Sequence, residues 1–249
     1  MAYKKKYDVD IVLVIDATGS MSGCIQVVKA NAMKLYDDIV EKMRVTNREI
    51  HDMRIKVIAF RDYLEYMSDH RPPMMRTPFF HMPDDKEKFQ AAVNSIEADG
   101  GGDIPEDGLE ALAFAIRSDW APQQQGIDRR QIIALWTDAP AHELGFGKAA
   151  DIYPKEMARN FSELTNWWGE IDEEAIARQE ATGKSYVSYE SKRLLLYAPE
   201  EEPWTTIARG WKNVIHVPTE RDQYNRLLND LAVSEQYAEI VNLLVKTIA

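Results

Sequence analysis

The chain has 249 residues, of which 45% are hydrophobic and 29% are charged; this is ordinary for a soluble globular protein and excludes disordered, collagen-like, coiled-coil and membrane-channel proteins. Its length favours one large domain and can bury a core without a disulfide or a structural metal. Its net charge of −11 disfavours a nucleic-acid partner, because an acidic surface repels phosphate at long range.

Short apolar segments alternate along the chain with amphipathic ones. Continuous aliphatic runs predict strands buried on both faces, and apolar residues spaced by three and four predict helices. The predicted elements, in chain order, are a strand at Val9–Ile15, a helix at Ile25–Met43, a strand at Arg54–Phe60, helices at about Phe89–Ile96 and Pro105–Ile116, strands at Gln131–Thr137, Lys192–Tyr197 and Asn213–Val217, and a helix at Tyr237–Ile248. This alternation predicts an open, doubly wound α/β fold with a mostly parallel sheet flanked by helices.

One connection is longer than the others. The segment 141–191 is about twice as long as a crossover needs, and it contains Trp167 and Trp168. We expect a single domain over 1–249 with a helical insertion at about 141–191. Two interpretations of the tryptophans stay open: both cover the hydrophobic edge of the sheet, or one is an exposed anchor for a partner.

The cellular location is inferred from cysteine usage and from the N-terminal segment. The single cysteine, Cys24, cannot form an internal disulfide, which is typical of a reducing compartment. The first apolar run, Ile11 to Ile15, is too short for a signal peptide or a membrane span. We therefore expect a cytoplasmic protein without a membrane partner, in which Cys24 is a small buried residue.

Oxygen-bearing side chains follow three of the predicted elements. Asp16, Thr18 and Ser20 alternate in the loop after the first strand. Asp103 follows three glycines in a second loop, and Asp138 ends another strand. Ligands of such folds bind beyond the carboxyl ends of the strands. Five oxygen donors without a cysteine or an obvious histidine predict a hard divalent cation, Mg²⁺ or Mn²⁺ rather than Zn²⁺.

Several of these residues have a second interpretation. Asp, Thr and Ser are favoured in turns and at helix N-caps for backbone reasons alone, so the segment 16–20 could be a capping turn. Asp62 either joins the rim of the site or forms a turn after its strand. His142 either faces the metal or is a loop histidine whose hydrogen bonds the protein satisfies.

The order of these motifs resembles the von Willebrand factor type A family. Asp-x-Thr-x-Ser after the first strand, a glycine-loop donor and the strand-end pair Thr137-Asp138 are similar to that family's metal-ion-dependent adhesion site. The resemblance implies that Thr18 and Ser20 are direct hydroxyl ligands, and that Asp16 and Asp138 act directly or through water. It spans about 9–248, and the segments 60–63, 100–106 and 137–142 look like a microbial subgroup whose members stand alone or are joined to kinase-type domains.

The sequence departs from the family's commonest pattern at one ligand. The loop position is usually threonine, and here it is Asp103. A third carboxylate makes the formal charge of the site exceed that of one dication. We therefore expect stronger metal binding and a weaker attraction of the bound metal for an outside carboxylate.

The resemblance implies a non-catalytic, metal-dependent protein-interaction module. It would use Mg²⁺, or Mn²⁺ or Ca²⁺, and an acidic residue of a protein partner would complete the coordination. The alternative is a Mg²⁺-dependent phosphoryl-transfer enzyme with Asp16 as the nucleophile, since Asp-Ala-Thr-Gly-Ser is similar to the Asp-Lys-Thr-Gly-Thr motif of aspartyl-phosphate-forming ATPases but lacks its lysine. A structural subunit whose site never holds metal is the third possibility.

Overall fold

A computed structural model describes residues 4–65, 72–101, 105–122, 126–169, 190–220 and 230–249. The strands are β1 (Lys5–Asp16), β2 (Arg48–Phe60), β3 (Met74–Arg76), β4 (Phe80–Met82), β5 (Asp128–Trp136), β6 (Lys192–Ala198) and β7 (Val214–Pro218). The helices are α1 (Ser22–Val45), α2 (Lys86–Asn94), α3 (Gly108–Ile116), α4 (Phe161–Trp168), α5 (Trp204–Gly210) and α6 (Asp230–Ile248).

β1 lies inside the sheet, between β2 and β5, and is parallel to both. β6 pairs parallel with β5, and β7 pairs parallel with β6. On the other side, β3 and β4 pair antiparallel with β2. The predicted open, mostly parallel sheet is therefore confirmed. The two antiparallel strands were not predicted, because three residues are too few to show a hydrophobic period.

Helices cover both faces of the sheet, and β1 supplies side chains to both layers. Ile11, Leu13 and Ile15 belong to the cluster that includes buried residues of α1, α2 and α6. Val12 and Val14 belong to the opposite cluster, which includes residues of α3, α4 and α5. A strand buried on both faces needs apolar residues at every position, which explains the continuous apolar run in the sequence.

The connection after β5 includes a short helix with two buried tryptophans. Trp167 is 9% exposed and Trp168 is fully buried. Trp168 stacks on Trp211 with 5.5 Å between ring centroids, while the guanidinium of Arg117 lies 4.5 Å from the centroid of Trp167. The interpretation of one tryptophan as an exposed anchor is therefore wrong, because different neighbours cover two sides of the same helix. Residues 170–189 of the predicted insertion lie outside the described residues.

None of the helices within the described ranges is both long enough and apolar enough to cross a membrane.

Replacing Trp168 by alanine tests the contribution of this helix to the core. We expect Trp168→Ala to lower the free energy of unfolding by about 3–5 kcal/mol, because it leaves a large cavity in a packed cluster. Val45→Ala is the control, since Val45 is 72% exposed and its loss should change stability by no more than about 0.5 kcal/mol. Urea denaturation followed by circular dichroism measures both values. Equal stabilities of the two variants would contradict the assignment of Trp168 to the core.

Candidate metal centre

Polar side chains collect where β1 and β5 end, at the carboxyl edge of the sheet. Asp16 is the last residue of β1, and Thr137 and Asp138 come directly after the last residue of β5. The two strands are parallel neighbours in which Ile15 pairs with Trp136. Equal register at their ends therefore brings the polar residues that follow each strand to the same place.

The carboxylate of Asp16 is fully buried and is held by three hydrogen bonds. Its Oδ1 accepts one from the backbone N–H of Thr18 at 2.9 Å and one from the Thr18 hydroxyl at 2.6 Å. Its Oδ2 accepts one from the Thr137 hydroxyl at 2.7 Å. Both carboxylate oxygens are thus fixed in orientation by the loop after β1 and by the end of β5.

Ser20 connects this carboxylate to the second one. Its hydroxyl donates to Oδ1 of Asp138 at 2.8 Å, and its Oγ lies 3.4 Å from Oγ1 of Thr18. A hydroxyl has a single proton, and both hydroxyls direct theirs to a carboxylate, Thr18 to Asp16 and Ser20 to Asp138. Their lone pairs are therefore the groups that face each other across the 3.4 Å gap.

A glycine loop packs directly on the loop that carries Thr18. The backbone N–H of Gly19 donates to the carbonyl of Gly100 at 3.1 Å. Gly101 has φ +88°, and a Cβ there would lie 3.0 Å from the Cβ of Thr18. A side chain at this position would be strained and crowded, so glycine permits the close approach of the two loops.

Of the five predicted ligands, the structure brings together Asp16, Thr18, Ser20 and Asp138. The fifth, Asp103, lies outside the described residues. Within the described ranges, no group of three or more His, Cys, Asp or Glu side chains is placed to hold a metal ion. The assembled set comprises two carboxylates and two hydroxyls, all of them hard oxygen donors.

Burial raises the pKa of Asp16 to about 6, because a low-dielectric surrounding penalises the charged carboxylate. The hydrogen bonds from Thr18 and Thr137 oppose this effect, and the nearby charge of Asp138 adds to it. Cys24 lies in the same electrostatic field. Burial raises the pKa of its thiol, and the charges of Asp16 and Asp138 raise it further, which makes the thiol unreactive. Cys24 is the small buried residue that the sequence predicts.

His142 and Asp62 contact each other. Nε2 of His142 lies 3.0 Å from Oδ2 of Asp62, and both side chains are buried. The other oxygen of Asp62 accepts a hydrogen bond from the backbone N–H of Leu64 at 2.5 Å. His142 is thus the loop histidine satisfied by the protein, and Asp62 has the turn-forming contact that was its second interpretation.

Two supporting residues were not among the predicted ligands. Thr137 orients Asp16, and its place beside Asp138 at a strand end was the only signal in the sequence. Glu65 accepts hydrogen bonds from the backbone N–H of Gly101 at 3.0 and 3.2 Å and thereby ties the glycine loop to the segment after β2. No local pattern in the sequence indicates this contact, because the two residues are 36 positions apart.

Comparisons with solved structures find similar domains at low sequence identity. The von Willebrand factor domain of the type V pili tip protein Mfa5 from Porphyromonas gingivalis is 18% identical, covering 57% of this chain and 40% of that one, with a TM-score of 0.36. The pilus adhesin SpaC from Lactobacillus rhamnosus GG is 11% identical over 100% of this chain and 31% of that one, with a TM-score of 0.47. Proximal thread matrix protein 1 from the mussel byssus, in a structure with a zinc-occupied metal-ion-dependent adhesion site, is 13% identical over 95% of this chain and 46% of that one, with a TM-score of 0.45.

Sequence comparisons find a curated relative and a family. The alpha-protein kinase vwkA of Dictyostelium discoideum is 26% identical over 146 residues, which are 59% of this chain and 21% of the kinase. The chain thus matches about a fifth of that protein's length. The family model described as the von Willebrand factor A domain matches residues 10–148. Because this match covers more than half of the sequence, the chain belongs to the von Willebrand factor A domain family.

Proposed function

We propose that this chain is a protein-interaction module that binds a divalent cation at Asp16, Thr18, Ser20, Asp103 and Asp138. The observation that carries the proposal is the 3.4 Å separation between the hydroxyl oxygens of Thr18 and Ser20, with both protons directed away to carboxylates. A bound cation would offer an open coordination position to an acidic residue of a partner protein. No catalytic step is part of this function.

The chemistry of the donor set fits Mg²⁺, Mn²⁺ or Ca²⁺. Hard dications bind oxygen at about 2.0–2.6 Å, so one ion can contact two oxygens that are 3.4 Å apart. The hydroxyls of Thr18 and Ser20 would be direct ligands, with Asp16 and Asp138 binding directly or through water. A dication beside Asp16 also compensates the burial of its charge, which otherwise raises its pKa.

Asp103 completes the proposed set with a third carboxylate. Support for its inclusion comes from the neighbouring backbone, since Gly101 packs against Thr18 and Asp103 follows two residues later in the sequence. A third negative charge increases the attraction for a dication and at the same time increases repulsion among the carboxylates when the metal is absent.

The hydrogen bonds of Asp16 argue against its use as a nucleophile in phosphoryl transfer. A nucleophilic carboxylate must present an oxygen to the substrate. Both oxygens of Asp16 accept hydrogen bonds from Thr18 and Thr137, and the residue is fully buried. The kinase activity in the name of the curated relative belongs to a protein of which the match covers 21%, and our proposal does not include it.

Isothermal titration calorimetry tests metal binding and its dependence on this site. We expect the wild-type protein to bind Mg²⁺ and Asp16→Ala to lose the binding, because the substitution removes the carboxylate that orients Thr18. Asp84→Ala removes the same charge from an exposed position and should bind as wild type does. An absence of Mg²⁺ binding by the wild-type protein would end the proposal.

Affinity capture with the folded wild-type chain tests whether a protein partner binds through the metal ion. Capture in Mg²⁺ should be lost in EDTA and should also be lost in Asp16→Ala, whose fold is checked by circular dichroism. A partner retained equally in Mg²⁺ and in EDTA would bind elsewhere. Turnover of a phosphate ester in Mg²⁺ that disappears in Asp16→Asn would favour the enzymatic alternative.

Replacing Asp103 by threonine tests the additional carboxylate. We expect Asp103→Thr to weaken Mg²⁺ binding, because a neutral hydroxyl replaces a charged ligand. The melting temperature of the metal-free protein should stay level or rise, since like-charge repulsion decreases. Calorimetry and thermal denaturation measure the two effects, and equal Mg²⁺ affinity in both forms would show that Asp103 is not a ligand.

The raised pKa of Asp16 predicts a pH dependence of metal binding. With a pKa of about 6, the carboxylate is ionised at pH 8, whereas below pH 6 a cation must displace a proton. We expect Mg²⁺ affinity to be nearly constant above pH 7 and to fall by up to about tenfold per pH unit below pH 6. The folded, metal-free protein binds this proton more tightly than the unfolded chain does, so the contribution of Asp16 to its stability increases as the pH falls through 6. Titrations between pH 5 and 8 measure the affinity, and a flat profile would contradict the burial of Asp16.

A further inference from the structure

A cavity of about 440 Å³ opens at the same edge of the sheet, formed by three separate segments and α3. Its lining comprises Leu109, Ala141, His142, Glu143, Leu144, Asn160, Phe161, Glu202 and Pro203. The volume lies within the range of about 300–1,000 Å³ that is typical of ligand sites. The metal-centre residues are not part of this lining.

The cavity borders the metal centre through the chain itself. Ala141 is three residues beyond Asp138, and three residues span at most about 11 Å between Cα atoms. Backbone hydrogen bonds hold this connection in place: the N–H of Glu106 donates to the carbonyl of Pro140 at 3.0 Å, and the N–H of His142 donates to the carbonyl of Glu106 at 2.9 Å. The wall of the cavity is therefore already formed without a ligand.

The lining combines apolar surface with negative charge. Leu109, Leu144 and Phe161 are the large apolar residues of the lining, and Glu143 and Glu202 are its acidic residues. A hydrogen bond from the hydroxyl of Thr205 lowers the pKa of Glu202, so this carboxylate is charged at neutral pH. Among the described residues, the lining includes no lysine or arginine.

Three cations lie near this lining but are not part of it. The charge of Arg209 lowers the pKa of Glu202 further, and the side chain of Lys148 lies against Gly145. Arg159 is 84% exposed and pairs with Glu163 at 3.0 Å. The ring nitrogen Nε2 of His142 is already engaged with Asp62. An exposed aromatic ring extends the surface beyond the cavity, since Phe146 is 49% exposed and stacks on His142 with 3.8 Å between ring centroids.

We propose that this cavity binds a lysine or arginine side chain of a partner protein, carried on a short segment with apolar neighbours. The aliphatic stem of such a side chain packs on apolar walls while its charged head reaches a carboxylate. Here the walls are Leu144 and Phe161, and the carboxylates are Glu143 and Glu202. The aromatic ring of Phe161 also attracts a cation. This binding does not use the metal ion and therefore stands apart from the function proposed above.

Three peptides of matched size test the proposal with the whole chain in EDTA. They are acetyl-Leu-Arg-Leu-amide, acetyl-Leu-Gln-Leu-amide and acetyl-Leu-Glu-Leu-amide, each titrated to millimolar concentration and followed by the backbone-amide NMR signals of Leu144 and Phe161. We expect the arginine peptide to bind most tightly and the glutamate peptide to bind most weakly. Equal binding of the arginine and glutamine peptides, or no shift of these signals with any peptide, would overturn the proposal.

A double substitution assigns the charge preference to this cavity. Glu143→Gln with Glu202→Gln should weaken arginine-peptide binding by about fivefold. The melting temperature should stay nearly unchanged, because both residues are exposed and the amide oxygen of the new glutamine can still accept the hydrogen bond from Thr205. Glu200→Gln with Glu201→Gln is the matched control, since it removes the same charge from two exposed neighbours outside the lining. An equal loss in the control would indicate a general effect of net charge and would contradict the site. Agmatine binding more tightly than the peptide would assign the cavity to a small cationic molecule instead and would also overturn the proposal.

Discussion

The parallel pairing of β1 with β5 determines where the candidate metal centre lies. The two strands stay in register up to Ile15 and Trp136, so the residues that follow each strand emerge side by side. The hydroxyl of Thr137 then reaches Asp16, and the hydroxyl of Ser20 reaches Asp138. A slip of one strand by one residue would turn all of its side chains to the opposite face of the sheet and would separate these groups.

The same strand pairing also buries a carboxylate, and burial disfavours its charged form. β1 is covered on both faces, and the carboxylate at its end is therefore withdrawn from water. Three hydrogen bonds partly compensate Asp16, but its pKa still rises to about 6. The buried carboxylate of Asp10, earlier in β1, is paired with a cation instead. It accepts two hydrogen bonds from the guanidinium of Arg54, at 2.8 and 2.6 Å. Asp10 thus has a protein cation beside it, whereas Asp16 is bonded only to hydroxyl and amide donors, which is consistent with the external cation proposed for it.

The strands and three of the candidate site residues could be predicted from the sequence because their signals are local. Continuous apolar runs identified β1, β2, β5, β6 and β7, and alternate oxygen donors identified Asp16, Thr18 and Ser20. The roles of Thr137 and Glu65 depend on partners 121 and 36 residues away, so no window of sequence contains them. The sequence left two interpretations of the tryptophans open, because it does not show how far the surrounding core extends, and the structure selects the one in which both are buried. The cavity at Glu143 and Glu202 could not be predicted either, because the segments that line it are far apart in the sequence.

The central position of β1 has a consequence for the order of events during translation. β1 precedes the other described strands in the chain, and β2, which spans Arg48–Phe60, is the next of them to be synthesised. The other edge of β1 faces β5, which begins at Asp128. Until the ribosome has released that segment, the nascent chain carries an apolar strand with an unpaired edge, which is a surface for aggregation and for chaperone binding. The strand that positions the candidate metal centre is thus also a part of the nascent chain that needs protection.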